Sequence, residues 1–269
     1  MLRVLTLNVW NDSGPWLQRA ARIRAWLDRL SPDLVAFQEV LQSPERDLAR
    51  ELVGERGYEL SFAKASNFWK SPSDAIGNAI ASRWPIAKSD VLPLPDRGDG
   101  ETRAALLCHI ESPHGPLRFA CTHLNWKFHH GAVRERQVVA LADFVRAQRV
   151  HRGYPTILAG DFNAEPDSDE IRYMTGRHSI DGRSVYWNDA WLVAGRDGDG
   201  VTWSNRNAYA RTALEPERRI DYIFVDYPLR DGRGLVESCR VVCNDERAGI
   251  WPSDHFGVYA ELRTEPVGA

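Results

Sequence analysis

The stretch ILAGDFNAEP, residues 157 to 166, passes from an apolar run straight into Asp161, Phe162 and Asn163. A short apolar run bounded by polar residues and Gly reads as a buried strand, here 156 to 162. Such a strand leaves a carboxylate and an amide at its tip. The same pattern recurs along the chain. LRVLTLN at 2 to 8 ends in Asn8, DLVAFQE at 33 to 39 ends in Gln38 and Glu39, and LRFACTHL at 117 to 124 carries Thr122 and His123, with Asn125 just beyond. Two later strands begin with such groups: Asp221 opens DYIFV, and Asp254 with His255 precedes FGVYAEL. In an antiparallel sheet, the ends of some strands and the starts of their neighbours share one rim. The polar groups are therefore expected to converge.

Two further strands are predicted at 78 to 83 and 103 to 110, and ESPHGP at 111 to 116 reads as a hairpin turn. Ala20, Ile23, Leu27 and Leu30 follow a helical period behind a start at Ser13 and Pro15. Val138, Leu141, Ala142 and Val145 repeat that stripe. Both helices should lie on a sheet face. The polar or Gly-rich breaks at 95 to 101, 195 to 200, 205 to 218 and 244 to 252 read as surface loops, and no stretch reads as an interdomain linker. A single domain over residues 1 to 269 is expected.

At 43% hydrophobic and 26% charged residues, the composition is that of an ordinary globular protein with ample core. No apolar run reaches the roughly 18 to 20 residues that span a bilayer, and MLRVLTLNVW turns polar too soon for a secretory segment. The expectation is a cytoplasmic monomer without stable membrane insertion. A net charge of −3 gives no global attraction to polyanions, so capture of an anionic substrate must be local. Cys239 and Cys243 have a spacing that loosely suggests a metal. With Cys108 and Cys121 they lie in apolar, strand-like runs, where cysteine behaves as a small buried hydrophobe.

Carboxylates gathered with amide oxygens suit a hard divalent ion, Mg²⁺ or Mn²⁺, which keeps waters that a phosphate can replace. Glu39 is the natural anchor. An ion held there neutralises phosphate charge as phosphorus is attacked. His255 can take a proton from the attacking water if a carboxylate, for which Asp221 is the candidate, fixes its tautomer.

The set LTLN, FQEV, THLN, GDFNAEP, RIDYIFV and SDHFGV, in this order, resembles the endonuclease/exonuclease/phosphatase (DNase I-like) superfamily over roughly residues 2 to 262. The resemblance implies an α/β four-layer sandwich of two mixed, largely antiparallel β-sheets flanked by helices, with the site at one rim. It gives Glu39 and Asn8 to the metal, with Asp254 as an additional metal ligand or a neighbour of one. It gives water orientation or activation to Asp161, phosphate and water contact to Asn163, catalysis to His255 with Asp221 as its partner, and phosphate stabilisation to His123. The division of acid and base roles stays open. Arg103, Asn78 and Asn125 are candidates for substrate contact, Arg103 through a bidentate guanidinium–phosphate pair.

The implied activity is metal-dependent hydrolysis of a phosphodiester by in-line water attack. A nuclease comes first, with Arg134, Arg136, Arg206, Arg211, Arg218 and Arg219 as a backbone path. A sphingomyelinase-like or other lipid or small-molecule phosphodiesterase or phosphatase is the alternative, and a non-catalytic binding module is a third class. Trp10 and Trp126 are expected as substrate walls. His129 and His130 read as an exposed loop ahead of a helix.

Overall fold

The computed structural model describes residues 1–150, 153–196 and 198–268, so Asp197 in the 195 to 200 break lies outside the described residues. One sheet contains β1 (Leu2–Asn8), β2 (Leu34–Ser43), β3 (Arg46–Asp47), β4 (Glu59–Phe68), β5 (Ser71–Ser82), β12 (Val236–Val242) and β13 (Gly257–Leu262). Its order is β12-β13-β1-β2-β5-β4, with β3 paired to β2. The other contains β6 (Ile86–Pro93), β7 (Ala104–Ser112), β8 (Gly115–His123), β9 (Ile157–Asp161), β10 (Asn188–Asp189) and β11 (Asp221–Val225). Its order is β10-β11-β9-β8-β7-β6. The pairs β1–β2 and β8–β9 are parallel and the rest are antiparallel.

The period-2 alternation of a strand decides which side chains meet. Val4 and Leu34 on the first sheet face Phe119 and Ile223 on the second, forming the central core. The opposite face of the first sheet, with Leu5, Leu7 and Phe37, packs on α1 (Trp16–Leu30) and α2 (Leu48–Val53). The outer face of the second sheet, with Leu107, Leu158 and Phe224, packs on α3 (Gly131–Ala147) and α4 (Asp169–Met174). Both predicted helical stripes are buried in these outer layers. The short α5 (Ala190–Ala194) follows β10. Four layers result, as expected from the sequence.

The two parallel pairs send Asn8, Glu39, His123 and Asp161 toward one rim, and the segments leading into β11 and β13 return Asp221 and His255 to it. Gly160 sets the closeness of this approach. It pairs with Thr122 at a φ of +153°, and a Cβ there would lie 2.0 Å from the Thr122 carbonyl oxygen. Gly160→Ala must therefore part β8 from β9 beside His123 and Asp161. Overpacking and backbone strain together are expected to cost about 3 kcal/mol in a denaturant titration; an unchanged midpoint would rule the constraint out.

Candidate active site

Glu39 reaches the rim through a bulge. Phe37 pairs with Ala79 and Val40 with Gly77, so Gln38 and Glu39 together oppose Asn78. The extra residue turns Glu39 outward at a φ of +59°. Gln38 points the other way, into the core, where its amide bonds Thr6 Oγ1 and Cys121 Sγ. Trp10, Asn11 and Asn163 also hold positive φ, so four strained non-glycine residues surround the site.

Asp161 Oδ2 is the focal atom. Asn8 Nδ2 donates to it at 3.1 Å, and the Nε2 atoms of His123 and His255 lie 3.4 and 3.7 Å away. Its other oxygen accepts the backbone N–H of Asn163 at 2.9 Å. Behind His255, Nδ1 sits 3.0 Å from Asp221 Oδ2, which leaves Nε2 aimed at Asp161. Asp254 Oδ1 accepts from the backbone N–H of His255 at 3.0 Å and from Ser253 Oγ at 3.1 Å. Glu39 is held by two amides, Asn8 Nδ2 at 3.2 Å and Asn11 Nδ2 at 2.8 Å. In this arrangement Asn8 Oδ1 accepts from Trp10 N–H, so Asn8 faces the carboxylates as a donor.

Burial and crowding set the charges. Asp161 is pushed up to about 6, first by burial and then by Asp221. Asp254 is pushed up to about 7 by burial, with Glu39 adding to the rise against the opposing pull of His255. Burial pulls His255 down, but Asp221, Asp161 and Asp254 outweigh it and raise the imidazole to about 10. His123 is held well below its ordinary range by burial, Arg103 and His255, and stays neutral.

Glu39, Asp161, Asp221 and Asp254 form no salt bridge to lysine or arginine among the described residues. Asp221 Oδ1 is buried without a hydrogen-bond partner. Such a set fits a divalent cation. Asp161, Asp221 and His255 offer ligand atoms within 4.8 Å of one another, yet a cation among them would have to break the His255–Asp221 contact. Glu39, which lines the cavity and is held only by amides, is the better oxygen ligand, with Asp254 beside it.

This crowding couples metal to pH. Asp161, Asp254 and His255 all have folded values above their unfolded ones. Their stabilising contribution is complete below the unfolded values and is lost as pH rises through about 6, 7 and 10 respectively. A divalent ion bound among these groups would have to displace protons at low pH and would relieve repulsion at high pH. The Mg²⁺-induced rise in Tm is therefore expected to be near zero at about pH 4.5 and several degrees at about pH 8. Thermal melts with Mg²⁺ or EDTA test this, and an equal rise at both pH values would contradict it.

The other expected residues divide. Asn78, Arg103, Asn163, Trp10 and Trp126 line the cavity, with Asn78 Nδ2 bound to the Ala104 carbonyl at 2.8 Å. Asn125 is buried away from the cavity lining, where its Oδ1 caps Lys127 N–H at 3.1 Å. Of the arginines offered as a backbone path, Arg134 is buried on Glu170 and Arg219 on Asp189. Arg136, Arg206 and Arg211 are exposed. His129 is exposed as expected, but His130 is buried because its ring meets the Arg97 guanidinium at 2.9 Å. All four cysteines are free and buried.

Sequence reading missed Asn11, Ser253 and Arg19. Ser253 Oγ donates to the Asn8 carbonyl at 2.6 Å, tying the Asn8 and Asp254 segments together. Arg19 is fully buried, and its guanidinium donates to five carbonyls. These are Val9 at 2.8 Å, Ser13 at 2.9 Å, Asn11 and Pro252 each at 3.0 Å, and Trp10 at 3.2 Å. A charged residue four positions before Ile23, on the apolar stripe of α1, was the available signal.

Against known proteins, the profile of the Endonuclease/Exonuclease/phosphatase family matches residues 5–255. The chain belongs to this family. As a member of it, the chain is 29% identical over 172 residues to a Schizosaccharomyces pombe protein named as a probable RNA exonuclease, covering 60% of this chain and 34% of that one. It is 28% identical over 209 residues to the inositol phosphosphingolipids phospholipase C of the same yeast, covering 71% and 46%. This family member thus spans less than half the length of either relative. Its fold matches D. rerio TDP2 complexed with single strand DNA product, with a TM-score of 0.77, 18% identity, and 97% and 98% coverage. It also matches the human Nocturnin catalytic domain, with a TM-score of 0.72, 20% identity, and 97% and 93% coverage.

Proposed function

We propose that the chain is a single catalytic domain that hydrolyses phosphodiesters by in-line attack of water, acting first as a nuclease. The observation that carries this reading is the convergence of Asn8, His123 and His255 on one oxygen of Asp161, beside Glu39. Bound at Glu39 and Asp254, Mg²⁺ or Mn²⁺ would neutralise phosphate charge and polarise the phosphorus centre. Asp161, tuned to about 6, is the base that takes the proton of water near neutral pH. His255, raised to about 10, serves as a cationic donor, and Asp221 fixes its ring. Neutral His123 donates to a phosphate oxygen. Arg103 and Asn163, on the cavity wall, orient the phosphate.

Family membership and the yeast relatives' names support a phosphoester substrate. A lipid phosphodiester is the second reading, favoured by exposed Trp69, Trp126 and Phe128. No helix among the described residues is long and apolar enough to cross a membrane. Four free thiols suit a reducing, cytoplasmic setting, and the proposed form is a monomer. A panel of single- and double-stranded DNA, RNA, sphingomyelin, phosphoinositides and bis-p-nitrophenyl phosphate, with Mg²⁺, Mn²⁺ or EDTA, tests the reading. Metal-dependent hydrolysis supports it, whereas equal inactivity with metal and with EDTA points to a binding module.

A further inference from the structure

The cavity over the catalytic cluster is about 630 Å³, within the usual range of small-ligand sites. Its walls are aromatic. Trp10 and Trp203 stand half-buried inside, while Trp69 and Trp126 are 67% and 51% exposed. Trp10 is braced by Tyr209, stacked at 5.0 Å, and Trp203 lies edge-on to His255 at 4.9 Å.

Most of the wall's charges are already matched; Lys70, beside Trp69, has no carboxylate partner among the described residues, and its Nζ bonds the lining Ser13 Oγ at 2.9 Å and lies 5.8 Å from the Trp69 ring centroid. Among the described residues, Arg103 and Arg218 are the arginines that line it. Arg103 Nε is 2.8 Å from Glu101, and Arg218 is paired with Glu215. Lys127, beside Trp126, binds the lining residue Asp99 at 3.1 Å. A polyanionic strand laid along this wall finds one unmatched lysine against three carboxylates, Asp99, Glu101 and Glu215. Flat uncharged rings, in contrast, find exposed indoles at Trp69 and Trp126.

We propose, resting on the phosphodiesterase reading above, that the site takes a short nucleobase-bearing phosphodiester: a dinucleotide or the free end of a single strand. The phosphate to be cleaved meets the Asp161 cluster, and one or two bases stack on Trp69 and Trp126. Affinity comes from stacking, and phosphates beyond the reactive one contribute little. A duplex keeps its bases stacked on each other and does not supply those faces.

The test measures kcat and KM on single-stranded oligonucleotides of two, four, eight and sixteen residues, over about 50 to 200 mM salt. Bis-p-nitrophenyl phosphate and sphingomyelin vesicles run alongside. The expected kcat/KM levels off by the tetramer. The log–log salt slope should be no steeper than about −1.5, which is roughly two phosphates at −0.7 each. Trp69→Ala and Trp126→Ala should each raise KM for the dinucleotide about 5- to 150-fold, the loss of one stacked base.

Rates that climb through the sixteen-mer, a slope steeper than about −3, or an unchanged KM in both tryptophan variants would overturn the proposal. So would cleavage of sphingomyelin alone. Inertness toward every phosphodiester, bis-p-nitrophenyl phosphate included, would instead remove the catalytic reading beneath it.

Discussion

Replacing Asp161 or His255 by alanine is expected to lower phosphodiester turnover by at least about 10²-fold while the chain stays folded. Both residues act at one point. Asp161 Oδ2 and His255 Nε2 are 3.7 Å apart. Removing Asp161 takes away the group tuned to about 6 and leaves Asn8, His123 and His255 without their common acceptor. Removing His255 exposes Asp221, whose Oδ1 already lacks a partner. The two losses should not be additive, because the residues act as one unit. Steady-state rates on bis-p-nitrophenyl phosphate, with circular dichroism as the folding control, provide the measurement. A wild-type rate in either variant would remove that residue from the chemistry.

A second large effect is expected at a residue that touches no substrate. Arg19→Met leaves five carbonyls, three in buried hydrogen bonds, without their donor and should destabilise the protein by at least about 3 kcal/mol. For a chain of this size that is a fall of roughly 6 to 12 °C in Tm. Burial lowers the Arg19 guanidinium only to about 10, with Asp254 partly offsetting the drop, so it remains charged at neutral pH. Its hydrogen bonds fasten the segment after β1 to Pro252, just before Ser253 and Asp254. The half-saturating Mg²⁺ concentration should therefore rise in the same variant. A Tm within about 2 °C of wild type would show that the carbonyls find other partners.

The elements buried on both faces were legible in the sequence. β9 and β11 are apolar up to their Asp tips, and β1 is mostly so apart from Arg3 and Thr6, because they are covered by the other sheet and by helices or loops, and the polar tips form the candidate site. β4, β6 and β12 were missed for the opposite reason. Each lies at a sheet edge with exposed or half-exposed positions, so charged and polar residues such as Lys64, Lys88 and Arg240 interrupt the alternation. His255 was placed at the start of a strand, yet β13 begins at Gly257 and His255 instead bridges to Trp203. The roles of Asn8 and Asn11 as clasps on Glu39 depend on a bulge and on positive φ, which no spacing rule encodes.

The catalytic groups are divided between the two sheets. Asn8, Glu39 and His255 belong to the first sheet and its approaches, while His123, Asp161 and Asp221 belong to the second. Neither half holds a working set, and the atoms that must meet are separated by the whole thickness of the apolar interior except at this lip. Under the proposed mechanism, competence is a property of the closed sandwich: a form with one sheet complete and the other undocked would lack half of the proposed catalytic groups.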